Sequence, residues 1–166
     1  PEYFKYSLKL VNEKFQRDIV SLDDGDLIWA GNNYHLIING DLIQMDEDGK
    51  HRHGGPDKAQ KLIEHFDSLV SSAEKKSENG EHPVQFTVGN HDVNLIFGEA
   101  VGSYPNKWEL KKIGSNFVDS YQNWINQDIV KMIIEGYNWN YVHAGQAHEW
   151  DDKERNRANQ LLKQVN

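Results

Sequence analysis

The chain is expected to adopt an α/β fold, a layered arrangement of central β-sheet flanked by helices. Three observations predict it. Short apolar runs end abruptly on small and polar residues: His35–Asp41 closes on Gly40-Asp41, Val84–Asp92 on Gly89-Asn90-His91-Asp92, and Asn138–Gly145 on His143-Ala144-Gly145. Between the first two runs lies a stretch with helical apolar spacing, which makes a β-α-β unit with parallel strands and a right-handed crossover. In an open α/β sheet the carboxyl ends of strands line one edge, so the three termini are expected to meet there.

Leu8, Val11, Phe15 and Ile19 recur at three- and four-residue steps and predict an amphipathic helix over about residues 4 to 20. Asp23-Asp24-Gly25-Asp26 breaks it, and a brief strand at Leu27–Trp29 leads through Gly31-Asn32-Asn33 into the strand at His35–Asn39. A charged loop over residues 44–57 follows. Pro56 and Asp57 suit a helix start, and Leu62, Phe66, Leu69 and Ala73 give one apolar stripe running to about residue 76. Lys75–Glu81 reads as a polar connector and Val84–Val88 as a strand. From Val93 to about Gln127, Trp108, Phe117, Tyr121 and Trp124 among polar residues predict a helical cap with loops, in which the aromatic rings anchor packing. Ile129–Ile134 and Trp139–His143 read as two strands around a short turn, and Trp150–Val165 as a terminal surface helix.

At 166 residues the chain fits one domain. A formal net charge of -8 argues against sequence-independent nucleic-acid binding, which needs a surplus of Lys and Arg facing phosphates. It does not exclude a phosphorylated substrate, because bound divalent cations dominate the local field. With no Cys there is neither a disulfide framework nor thiolate chemistry. No apolar run approaches the roughly 20 residues that span a bilayer, and no signal-peptide pattern begins the chain. A soluble protein, cytoplasmic with export left open, is the expectation.

Asn and His are poor core residues and good neutral donors for divalent metals, and His also protonates leaving oxygens. A Gly-Asn step can equally serve to bend the backbone. The ordered set Gly40-Asp41, Gly89-Asn90-His91-Asp92 and His143-Ala144-Gly145 resembles the calcineurin-like metallophosphoesterases. Its His-Ala-Gly form is similar to the phosphoprotein phosphatase (PPP) branch, which includes bacterial and viral protein phosphatases and symmetrical dinucleoside tetraphosphate hydrolases. Asp26–Asn33 resembles the lead-in of some bacterial members, and Gln146-Ala147-His148-Glu149-Trp150 resembles the tetraphosphate hydrolases. The likeness spans roughly residues 20 to 150.

The resemblance implies a metallophosphoesterase-type sandwich and two divalent metal ions about 3.5 to 4 Å apart. Manganese is the first expectation, with iron, zinc and magnesium as alternatives. Asp41 would bridge both ions, Asn90 and His143 would bind the same one, and His91 would protonate the leaving oxygen. The water between the ions would attack phosphorus in line. The family pattern departs here at several points. No Asp-x-His-Gly occurs, the further metal-binding His that the family carries well downstream of His-Ala-Gly has no counterpart, and Gln44 and Met45 stand where an Asp and a phosphate-binding Arg are expected. Asp46 or Asp92 is the candidate partner of His91. Arg52, ahead of Gly54-Gly55-Pro56, is the candidate displaced phosphate clamp, against a plain reading of the segment as a solvated basic loop. His35, His65 and His82 match no motif and are expected to be structural or solvent-facing. The missing motifs lead to the expectation of a single catalytic domain over 1–166, truncated at both ends; a mature natural product of 19.2 kDa would contradict it.

Three functions compete at this point. The first is a metal-dependent phosphatase acting on phosphorylated Ser, Thr or Tyr in proteins. The second hydrolyses a small phosphoester, a dinucleoside polyphosphate. The third keeps the fold as a catalytically inactive interaction module.

Overall fold

The computed structural model describes residues 2–23, 26–31, 33–42, 56–74, 81–97, 115–136, 139–143 and 151–164. They form a mixed α/β structure of helices and three small sheets, the expected fold class. The chain falls into two compact units, one of residues 1–36 and 53–84, the other of 37–52 and 85–166.

The first unit holds α1 (Glu2–Phe15), β1 (Val20–Asp23), β2 (Asp26–Trp29) and α2 (Pro56–Glu74). α1 stops at Phe15, short of the expected residue 20, because Gln16 turns into the left-handed region at φ 52°. Ile19, expected on the helix, instead leads into β1, and its carbonyl accepts from Ala30 N–H at 2.8 Å. β1 pairs antiparallel with β2, from Val20 opposite Trp29 to Asp23 opposite Asp26. The Asn12 side chain holds the outer side of this hairpin, donating to the Val20 carbonyl at 2.6 Å and accepting from the Ile19 and Val20 amides. On α2 the expected stripe is present, its centre turned by one residue: Ile63, Phe66, Leu69, Val70 and Ala73 are buried. Trp29 is fully buried, and its amide donates to Ser72 Oγ on α2 at 2.8 Å. His65 is buried too, and burial, aided by the Lys5 charge, lowers its pKa. His82 bridges the Val70 carbonyl and Val84, a structural role.

The second unit takes in all but the first residue of β3 (Leu36–Asn39) and of β4 (Val84–Thr87), with β5 (Val130–Lys131), in a sheet ordered β3-β4-β5. β4 and β5 run parallel, with Phe86 opposite Val130. Every residue of β4 is buried, as befits a central strand covered on both faces. Among the described residues that follow are the helices α3 (Asn90–Phe97) and α4 (Ser115–Asn126). α4 buries Tyr121, Trp124 and Ile125, and Trp124 stacks on Phe86 with ring centroids 5.3 Å apart. The expected single strand over 129–134 is divided. Val130–Lys131 stays in the parallel sheet, while β6 (Ile134–Glu135) pairs antiparallel with β7 (Asn140–Tyr141) in a separate hairpin. The division falls at Ile133, whose N–H and C=O are both taken by the Asn159 amide. Asn159 lies on α5 (Asp152–Gln164), the expected terminal helix, which begins with a reciprocal Asp151–Glu154 capping box. Among the described residues no helix is long and apolar enough to cross a membrane.

Candidate active site

β3 delivers the first site residue through an unusual turn. After Asn39 both Gly40 (φ 59°) and Asp41 (φ 49°) adopt left-handed backbone, which ends the strand and sets the Asp41 carboxylate just beyond it. Glycine tolerates this region freely, and Asp is among the few other residues that do. Gly40 is further required because a Cβ there would collide with the His143 imidazole.

The Asp41 carboxylate has two partners. Oδ1 accepts from the His91 amide at 3.1 Å, and Oδ2 lies 3.1 Å from His143 Nε2. The other ring nitrogen of His143, Nδ1, is 2.9 Å from the Asn39 carbonyl. A carbonyl only accepts, so Nδ1 carries the hydrogen, and the Nε2 of the neutral ring presents a bare lone pair to a carboxylate. Two electron-rich atoms face each other, an arrangement that calls for a proton or a cation. Metal ligands at about 2.1 Å that meet at a right angle are about 3 Å apart, so the spacing suits a shared cation. Locking one imidazole nitrogen to a carbonyl is also how metal-ligating histidines are oriented. The donor chemistry therefore fits a divalent metal. Asp41 and His143 are a pair, and among the described residues no group of three His, Asp or Glu side chains forms a metal shell.

The Gly89-Asn90-His91-Asp92 segment, expected as a turn, is the start of α3. Gly89 is its N-cap, with its carbonyl accepting from the Val93 amide at 3.0 Å. Glycine has no side chain with which to satisfy the first amides, and Asp41 does so from β3 by accepting from His91 N–H. Here too only glycine fits, because a Cβ on Gly89 would overlap the Asp41 backbone and carboxylate. Asn90, the first helical residue, is exposed, and His91 is half-buried.

Asp92 has no exposed surface. Its Oδ2 accepts from the Gly89 amide at 2.9 Å and its Oδ1 from the Leu42 amide at 3.0 Å. Burial pushes the carboxyl up to about 6, against those two amides and the Tyr121 hydroxyl, which favour the charged form. Tyr121 is itself pushed well above its usual value by burial and by Asp92. Asp92 was expected at the chemistry, as a catalytic group or the partner of His91; it sits instead in the interior with both oxygens engaged by main chain.

The structure thus brings together Asp41, His143 and the α3 start that carries Asn90 and His91. β7, however, belongs to its own hairpin, so His143 reaches Asp41 without sharing the β3-β4-β5 sheet edge. Arg52, Asp46 and the Ala144-Gly145 end of the third motif lie outside the described residues. Three contributors were missed from sequence. The Asn39 carbonyl orients His143, Thr87 Oγ1 donates to Asn39 Oδ1 at 2.8 Å, and Tyr121 meets Asp92. Strand alternation could have placed Asn39 and Thr87 at the strand ends; nothing in the sequence pairs them.

A family model described as calcineurin-like phosphoesterase matches residues 6–165. No curated protein and no solved structure matches the chain.

Proposed function

The chain belongs to the calcineurin-like phosphoesterases, and from that premise we propose that it is a phosphatase of the PPP type, acting on phosphorylated Ser, Thr or Tyr in proteins. The observation that carries the reading is the Asp41–His143 pair, with His143 Nδ1 tied to Asn39 and Nε2 facing the carboxylate. Asp41, His143 and Asn90 would hold divalent metal, manganese first among the candidates. When bound, two such ions supply Lewis-acid activation of water and neutralise charge on the phosphoryl oxygens.

The chain's own residues do the rest. Asp41 is held by the His91 amide, so its second oxygen keeps one orientation. His143 is fixed in the tautomer that ligates. His91 gives its ring proton to the leaving oxygen as the P–O bond to that oxygen breaks and the bond from phosphorus to water oxygen forms; the proton released by the water restores the imidazole through solvent, and the products are the free hydroxyl and phosphate. Arg52 is the residue we assign to gripping phosphate oxygens, through the fork geometry that guanidinium offers.

A second reading, hydrolysis of a dinucleoside polyphosphate, is favoured by Gln146-Ala147-His148-Glu149-Trp150. Parallel assays of the full chain with manganese on a phosphopeptide and on dinucleoside tetraphosphate separate the two. Faster turnover of the phosphopeptide is expected, abolished by Asp41→Asn. Preference for the nucleotide would replace the first reading with the second. Tight manganese binding with neither substrate consumed would contradict both, and no binding by a folded chain would leave the inactive module.

A further inference from the structure

We propose that Asp92 is a positioning residue that fixes the spacing between Asp41 and Asn90 by joining the amides of Leu42 and Gly89. The inference rests on the metal-site reading above. Each bridged amide adjoins a candidate ligand: Leu42 follows Asp41, and Gly89 precedes Asn90. The two segments are 50 residues apart along the chain at the Leu42–Asp92 bond, so one carboxylate sets a distance that no local backbone preference can set.

A helix-capping duty alone does not account for this arrangement. An acidic residue at the third helical position reaches back to the N-cap amide with one oxygen, which Oδ2 does at Gly89. The second oxygen of Asp92 instead crosses to the β3 side. Capping acids are also ordinarily wet, whereas Asp92 has no exposed surface. A buried carboxylate is costly, and it is retained where it specifies an arrangement that apolar packing would leave loose. Tyr121, buried on α4, interacts with the same carboxylate, its hydroxyl favouring the charged form. Asp41 is tied from both directions as a result: its own Oδ1 takes the His91 amide of α3, while Asp92 of α3 takes the amide after Asp41. Residues that orient ligands in this indirect way typically change metal affinity about 10- to 100-fold when altered.

The test compares wild-type full chain with Asp92→Asn and Tyr121→Phe, measuring manganese(II) affinity by calorimetry and amide exchange at Leu42 by NMR. Asn keeps the shape but turns one acceptor into a donor facing an N–H. Asp92→Asn is expected to weaken manganese binding about 10-fold or more and to speed Leu42 exchange at least as much, while amides of α2 stay unchanged. Tyr121→Phe is expected to move both readouts the same way by a smaller factor, and it decides the matter if Asp92→Asn does not fold. Wild-type manganese affinity and Leu42 protection in a folded variant would overturn the proposal. If the wild type binds no manganese yet Leu42 exchange still depends on Asp92, the phosphoesterase reading and the assignment to a metal site both fall, and only the bridge survives.

Discussion

The two units bury different things. In the first, α2 and the β1-β2 hairpin are held by Trp29, Ile63, Phe66, Leu69 and Ala73, and His65 is the buried ionisable group among the described residues. In the second, Gln85, Thr87 and Asp92 go inside along with Phe86, Tyr121 and Trp124. Apolar packing needs only shape and volume, while buried polar groups need partners in particular places. The unit that carries the candidate site is the one that buries a carboxylate, and that carboxylate is held by main-chain amides, one of them 50 residues away.

The largest effect that could break this contrast is Trp29→Ala. It removes a fully buried indole, and a loss of about 3 to 5 kcal/mol is expected from denaturant unfolding; a loss under about 1 kcal/mol would show that the first unit does not depend on its apolar centre. Next comes Gly89→Ala, whose Cβ would overlap the Asp41 backbone, an atom group that cannot swing aside. Manganese affinity is expected to fall by about tenfold or more, with helical circular dichroism retained; wild-type affinity would mean that β3 and α3 need not approach so closely.

These two substitutions also mark what could be read from the sequence. The buried stripe of α2 and the central strand β4 were legible because burial imposes a period or an unbroken apolar run. β1 was not: Val20–Asp23 looked like the tail and break of a helix, although Asp24-Gly25 is a dipeptide favoured between hairpin strands. The division of 129–134 into β5 and β6 could not be read locally, since Asn159 decides it from 26 residues away. At the site, Asp41, Asn90, His91 and His143 stood out by residue type and motif. The role of Asn39 could not, because its main-chain carbonyl orients His143 and main chain carries no residue signature. Asp92 was placed at the chemistry for the same reason in reverse: a carboxylate beside His reads alike whether it faces substrate or two amides.

Smaller effects sharpen the contrast. Thr87→Val keeps the volume and removes the hydroxyl that Asn39 Oδ1 accepts, so a stability loss of about 1 kcal/mol is expected in thermal unfolding. No loss would mean that the strand ends do not need this bond. His65 gives a signed pH dependence. Its folded pKa lies below the ordinary histidine value of 6.5, so the unfolded chain binds more protons and stability falls as pH drops below that value. His65→Leu is expected to flatten that acid limb in unfolding measured across pH, leaving the neutral plateau little changed; an unaltered limb would place the acid sensitivity elsewhere.

The proposed metal site requires that His143 ligate through Nε2 while Nδ1–H stays on the Asn39 carbonyl. Imidazole 15N NMR of the full chain during titration with zinc(II), a diamagnetic stand-in, tests it most directly. The His143 Nε2 resonance is expected to shift on binding while the Nδ1 proton remains attached, and the shift is expected to vanish in Asp41→Ala at the same zinc concentration. Binding through Nδ1, or zinc uptake that leaves His143 unmoved, would contradict it.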